Sequence, residues 1–434
     1  MNPLIDRLRH DAIAIYDAAV DGVEPRHALT RALAQTPPPE RVRLLAFGKA
    51  AYAMTAAAVQ HLERLEIPVS GGVIITTDPG ASPDPRLRRL VGDHPLPGAQ
   101  SEAAAAALAE AIRPADAREE TWVLLSGGTT SLIGAPVAGI SSTEYRLLMQ
   151  TLGRAGMPIG DLNRARKRFS RWGAGRLAAA LHPGRTRVFT MSDVPGDQPE
   201  DIGSGPCAPD PTTASEIADL LRRLNTDIPE LAFRWLDRVI RGDLAETPKP
   251  DDPAFGVVST RVISSNEVAR EHAAVRARAL GYETIVDREL VTGEAAGAGE
   301  RLAARALDLR PGTAWITGGE TTVTLGVDHG VGGRCQELAL AVARVLAPTA
   351  GRPPLVVLAA GTDGRDGPTD AAGAVVHAGT WSAIQAGGVD PERSLVRHDA
   401  YAALRTAGAL LRPGLTGTNV MDVMIVVAGT PPHR

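Results

Sequence analysis

The chain is poor in cysteine, aromatic residues and lysine: its 434 residues include two cysteines, Cys207 and Cys335, and five each of tryptophan, tyrosine and phenylalanine. Two unpaired cysteines exclude a disulfide framework or a cysteine-rich zinc module and suit a reducing cytosol, so a cytoplasmic location is expected. No run approaches the roughly 18 consecutive apolar residues that a membrane-spanning helix requires. The N-terminal stretch places Asp6, Arg7, Arg9, His10 and Asp11 among apolar residues at helical spacing, which is the pattern of an amphipathic helix and not of a signal peptide. A formal net charge of -4 offers no general basic face for displacing counterions, so neither nucleic acid nor a membrane is an expected partner. Lysine occurs only as Lys49, Lys167 and Lys249, and arginine supplies the rest of the 46 basic residues.

The hydrophobic content of 44% and charged content of 22% are those of a globular protein, and the length suggests two large domains. Short β-branched or leucine-rich runs alternate with alanine- and arginine-rich helical stretches, the pattern of α/β domains on mostly parallel or mixed sheets. The expected strands are VRLLAF, GGVIITT, TWVLLS, TRVFTMS, GVVSTRVISS, AWITGG, TVTLG, PLVVLAAG and VMIVVAG. The proline-rich, charged stretch ETPKPDDPAFG, residues 246 to 256, reads as a linker between the halves.

Several strands run directly into glycine-rich or acidic turns: FGKA, LLSGGTTS, MSDVPGD, ITGGETT and AAGTDGRDGPTD. Open α/β sheets bind ligands outside the carboxyl ends of strands, where amides and helix N-termini are exposed. Lys49 at such an end is either a phosphate ligand or a solvated surface lysine. In SGGTTS, Ser126, Gly127, Gly128 and Thr129 form either an anion nest or a plain turn. Neither segment is a Walker A loop or a G-x-G-x-x-G dinucleotide fingerprint. The cluster in LNRARKRFSRW offers Arg166 and Lys167 as phosphate or carboxylate ligands, while Arg164, Arg168 and Arg171 read as a basic helical face. In SDVPGDQPEDIGSG, Asp193 can organise Mg²⁺, accept the proton of an attacking hydroxyl, or cap an Asx-turn, with Asp197, Ser204 and Gly205 in the same loop.

The second half contributes the turn Gly318-Gly319-Glu320 and, before an amphipathic helix, Gly332, Gly333 and Arg334. A cation at a helix N-terminus opposes the helix dipole, so an anionic ligand is expected between them. Asp363, Asp366 and Asp370 share one turn, suited to a metal, to a ribose or to ordinary turn chemistry. Asn419, in LTGTNVMD, is either a ligand contact or a turn cap. The residues by themselves point to a phosphate-handling α/β enzyme.

In order and spacing, these turns resemble the glycerate 2-kinase family over almost the whole chain. The most specific stretches are SDVPGDQPEDIGSGPCAPDPTT, GGETTVTLGVDHGVGGRCQELALA, GTDGRDGPTDAAGAVV and GLTGTNVMD. The resemblance implies a Rossmann-like N-terminal domain over residues 1–250 and a MOFRL domain over 255–434, with a cleft between them. It also implies ATP with Mg²⁺ as donor, D-glycerate as acceptor and 2-phospho-D-glycerate as product. Carried onto this sequence, Lys49, Asp193 and Arg334 are catalytic, with Asp193 a candidate magnesium ligand. Ser126, Gly127, Gly128, Thr129, Arg166, Lys167, Ser204, Gly318, Gly319, Glu320, Asp363 and Asn419 bind substrate or nucleotide. The chain departs from the usual family residues at Thr129 and Thr130, at Cys335 and at His398. Family members have also carried the label hydroxypyruvate reductase, which leaves an oxidoreductase as the alternative, beside a kinase for a related hydroxy acid. A homodimer is compatible with this reading.

Overall fold

The computed structural model describes residues 3–112, 118–224, 226–349 and 353–429. It divides into two compact units, one formed by Pro25–Ile263 and the other by Met1–Glu24 with Ser264–Arg434.

The Pro25–Ile263 unit is built on strands β1 (Arg41–Phe47), β2 (Val69–Thr76), β3 (Leu87–Val91), β4 (Glu119–Leu125), β5 (Arg185–Met191) and β6 (Val258–Ser264). Their order is β3-β2-β1-β4-β5-β6, and the β3/β2, β2/β1, β1/β4 and β4/β5 pairs run parallel. Leu44–Phe47 and Trp122–Leu125 are buried apolar runs, as expected of central strands covered on both faces. The strand order reverses between β1 and β4, which makes their carboxyl ends the switch point at which such sheets bind ligands. Helices Ser142–Arg154 and Ile159–Arg168, inserted between β4 and β5, pack with Ala214–Arg222 and Glu230–Ile240 around Tyr145, Phe169, Leu221 and Leu236. Capping boxes start two of them, Ser141 with Glu144 and Thr213 with Glu216.

The other unit carries β7 (Glu283–Val286), β8 (Val291–Glu294), β9 (Thr313–Thr322), β10 (Leu355–Gly361), β11 (Gly373–His377), β12 (Leu410–Leu411) and β13 (Asp422–Ala428). The order is β12-β11-β10-β13-β9-β7, with β8 also beside β9. The sheet is mixed: β7 and β8 run parallel to β9, whereas β13/β9, β10/β13, β10/β11 and β11/β12 are antiparallel. Helix Arg334–Leu346 is covered nearly all round, with every residue from Cys335 to Ala343 buried. The α/β class read from the sequence is therefore present in both units. No helix among the described residues is long and apolar enough to cross a membrane.

Three details differ from the sequence reading. Residues 1–24 do not join the N-terminal domain expected over 1–250. Leu8, Ala12, Ile15 and Tyr16 of helix Pro3–Gly22 enter the same core as Ile316, Leu358 and Ile425, and the Tyr16 hydroxyl donates to the Gly361 carbonyl at 2.7 Å. The stretch 246–256 is not a linker between units, because Glu246 and Thr247 bind Arg168 and β6 completes the first sheet only afterwards. TVTLG is not a separate strand: β9 ends at Thr322, and the Glu294 carboxylate holds Thr324 through its N–H and its hydroxyl.

Candidate active site

The turns after β1, β4 and β5 meet at the switch point. Gly48 has φ +117, and a Cβ there would stand 2.2 Å from Ser126 Oγ, so only glycine lets the two turns close. The Lys49 N–H then donates to the Gly127 carbonyl at 3.0 Å, and the Ala50 N–H donates to Ser126 Oγ at 3.0 Å. Gly127 packs directly over Asp193: a Cβ on it would lie 2.2 Å from Asp193 Oδ2. At Gly128, which has φ +89, a Cβ would stand 3.3 Å from His94 Cδ2 and 3.5 Å from Lys49 Cγ. Lys49, His94, Asp193 and the two glycines are thus one cluster. Among the described residues, the N–H groups of Gly128 and Thr129 meet no acceptor.

The electrostatics suit anion handling. Burial raises the Asp193 carboxyl above its ordinary range, and its own backbone and Lys49 only partly oppose that. Burial, followed by the Lys49 charge, lowers the His94 imidazole and favours its neutral form. The hydroxyls have other work: Thr129 Oγ1 donates to the carbonyls of Ser126 at 2.8 Å and Phe47 at 3.1 Å, and Thr130 Oγ1 lies 2.9 Å from Ser204 Oγ. Thr129 and Ser204 therefore lock the turn. His94 escaped the sequence reading because an isolated histidine in HPLP carries no spacing signal.

Lys167 is not in this cluster. Its Nζ lies 3.3 Å from Asp210 Oδ1 with both side chains buried, and Arg168 approaches the other Asp210 oxygen at 3.4 Å while also pairing with Glu246. A buried ammonium needs a paired carboxylate, and this one is already satisfied by its own fold. Arg166, on the same helix, is half-buried with Nη2 3.0 Å from where a Gly153 Cβ would stand, and desolvation lowers its pKa.

In the other unit Arg334 opens helix Arg334–Leu346. Its Nε and Nη2 donate to Asp422 Oδ2 and Oδ1 at 2.6 and 2.9 Å, and its Nη1 donates to Glu320 Oε1 at 2.7 Å. Burial disfavours the guanidinium charge, but the hydrogen bonds and charge of Asp422 outweigh it and raise the Arg334 pKa. The group at this helix N-terminus is the protein's own carboxyl. Asp366 accepts the N–H groups of Cys335 at 3.1 Å and Gln336 at 2.8 Å, and burial pushes its carboxyl up to about 7. Gly318 and Gly319 do not form a turn. They lie inside β9, where a Cβ on Gly318 would collide with Asn266 Oδ1 at 1.9 Å and one on Gly319 with the Val291 carbonyl at 2.1 Å. They admit neighbouring groups, not a ligand. Asn419 is exposed and its Oδ1 accepts the Met421 N–H at 3.2 Å, so it caps a turn.

A cavity of about 610 Å³ opens beside Arg334, with Thr321, Glu337, Asp363, Asp366 and His398 in its lining. Asp363 Oδ1 accepts the Arg365 N–H at 2.9 Å, and His398 Nδ1 lies 2.7 Å from Glu337 Oε2. Among the described residues, no group of three or more His, Cys, Asp or Glu side chains is gathered as a metal site.

Two family models match the chain: one described as a domain of unknown function (DUF4147), over residues 11–237, and the MOFRL family, over residues 313–422. A glycerate 2-kinase of Pyrococcus horikoshii is 33% identical over 89% of this chain and 87% of its own length. The chain belongs to the glycerate 2-kinase family. Its fold agrees with a crystal structure of glycerate kinase from Thermotoga maritima at a TM-score of 0.88 and 32% identity, covering 98% of this chain and 100% of that one. A relative from Agrobacterium vitis, 34% identical over 96% of this chain and 93% of its own length, bears the provisional name hydroxypyruvate reductase. As a glycerate 2-kinase family member the protein is a kinase, a phosphotransferase whose catalysis rests on positioning and on compensating phosphate charge.

Proposed function

We propose that this protein transfers the γ-phosphoryl group of ATP to the 2-hydroxyl of D-glycerate, giving 2-phospho-D-glycerate and ADP. The observation that carries this reading is the convergence of Lys49 and Asp193 on the Gly127-Gly128 turn at the switch point of the first sheet.

Phosphoryl transfer needs positive charge on the phosphate oxygens and a group to take the hydroxyl proton. Lys49 supplies the charge, and the N–H groups of Gly128 and Thr129 are donors beside it. Asp193, with its pKa raised by burial, is the proton acceptor in this cluster. Arg334 uses three N–H donors on Asp422 and Glu320, and its remaining donors serve an anion in the cavity that it lines. Mg²⁺ bound to nucleotide phosphates takes only one or two protein carboxylates. Asp193, pressed against the Gly127 backbone beside Lys49, fits that donor set, and the ion would neutralise phosphate charge there.

The reductase reading is disfavoured by the β1 turn. It reads FGKA where a dinucleotide site would need G-x-G-x-x-G. Incubation with ATP, Mg²⁺ and D-glycerate, followed by phosphorus NMR, is expected to show 2-phosphoglycerate and ADP. Turnover of hydroxypyruvate with NAD(P)H and no ATP, or phosphate appearing on the 3-oxygen, would overturn the proposal.

A further inference from the structure

Of Thr129, Thr130, Cys335 and His398, three are engaged within the fold and one lines an open cavity. Thr129 is buried, and its hydroxyl is used by the Ser126 and Phe47 carbonyls. Thr130 is joined to Ser204. Cys335 is fully buried and bonds the Asp422 carboxylate. His398 differs from all of these, because it lines the 610 Å³ cavity together with Arg334.

The placement of His398 is specific. Its backbone has φ +53, a left-handed conformation that disfavours most side chains by about 1–2 kcal/mol and that asparagine tolerates better. Histidine is also among the residues enriched at positive φ, so the backbone does not select it over asparagine. The side chain does: Nδ1 lies 2.7 Å from Oε2 of the buried Glu337, a pairing that fixes the ring and leaves Nε2 without use in the fold. Glu337 stands three residues after Arg334 on the same helix, so one turn of helix sets both the guanidinium and the imidazole.

We propose that His398 is a specificity-determining residue whose Nε2 hydrogen-bonds a hydroxyl or anionic oxygen of the substrate held in this cavity, with Glu337 as its positioning residue. The identity of the candidate substrates rests on the kinase reading above. The same chemistry is offered by the hydroxy acid and by the ribose and phosphates of the nucleotide, and the test separates them.

His398→Asn and Glu337→Gln are compared with wild type by measuring kcat and KM for D-glycerate at saturating ATP and for ATP at saturating D-glycerate, with thermal melts alongside. His398→Asn is expected to raise one of the two KM values about tenfold, the loss of one useful hydrogen bond, while the other KM and kcat stay within about threefold. Because asparagine suits φ +53, the melting temperature should hold or rise. Glu337→Gln should reproduce part of the same selective KM rise. The substrate whose KM moves is the occupant of the cavity. Unchanged KM values for both substrates, or equal weakening of both with a lower melting temperature, overturn the assignment. If wild type does not phosphorylate glycerate, the kinase reading fails separately, and calorimetric titration with ADP and with D-glycerate decides His398. A selective loss of about tenfold in His398→Asn supports it, whereas unchanged binding, or no binding of either by wild type, overturns it.

Discussion

Gly127 and Gly128 are adjacent in sequence yet should respond to alanine in opposite ways. At Gly127 the backbone is not in the left-handed region, so alanine is conformationally acceptable, but its Cβ would lie 2.2 Å from Asp193 Oδ2. That is more than an ångström inside van der Waals contact, and the atom that must yield is the end of the Asp193 side chain. Misplacing a reacting group by about 1 Å can cost on the order of a hundredfold in rate. At Gly128 the situation is reversed. With φ +89 the backbone strains any L side chain, at about 1–2 kcal/mol, while the new Cβ would meet His94 Cδ2 tightly at 3.3 Å, so that the ring must give slightly, and Lys49 Cγ in ordinary contact at 3.5 Å.

Gly127→Ala is therefore expected to melt close to wild type and to lose about a hundredfold in kcat. Gly128→Ala should lose stability by about 1–2 kcal/mol in urea and retain kcat within about tenfold. A coupled ADP-release assay with D-glycerate gives the rates. If Gly127→Ala turns over normally in a folded protein, Asp193 is not the proton acceptor. If the two variants behave alike, the local geometry does not govern either effect.

Lys49→Ala and Arg334→Ala should each lower kcat/KM by at least about a hundredfold while circular dichroism remains native, and near-normal rates in both would move the site elsewhere. Asp210→Asn strands the Lys167 ammonium in the interior, while Arg168 keeps its pairing with Glu246. It should cost about 3–5 kcal/mol in denaturant midpoint analysis, with little change in kcat for the protein that remains folded, and a neutral effect would refute the buried-pair account. The Asp366 carboxyl, pushed up to about 7 by burial, holds its proton in the folded chain at pH values where the unfolded chain has released it. Stability should therefore fall as pH rises from about 4 to 7, by up to about 4 kcal/mol, and Asp366→Asn should flatten that slope in melts across the range. Parallel slopes for the two proteins would remove Asp366 as the cause.

What the sequence disclosed follows from how far apart the interacting groups lie along it. Lys49, Gly127-Gly128 and Asp193 each follow a strand of one parallel sheet, so reading the strand ends was enough to select them, and their order in the sheet brings them together. The second unit defeats the same logic because its glycines and charges answer to remote partners. Gly318 and Gly319 look like a turn, but they make room for Asn266 and for the Val291 backbone, and nothing near residue 318 announces either. Lys167 looks like a phosphate ligand until Asp210 takes it. For Arg334 the dipole argument is incomplete: the helix N-terminus is occupied by Asp366, while the arginine is held by Asp422 and Glu320. A cation that its own protein already neutralises costs little to keep at a helix N-terminus. The stronger case for a functional role is therefore its position on the cavity wall, where its unused donors lie on the same helix as the Glu337 that holds His398.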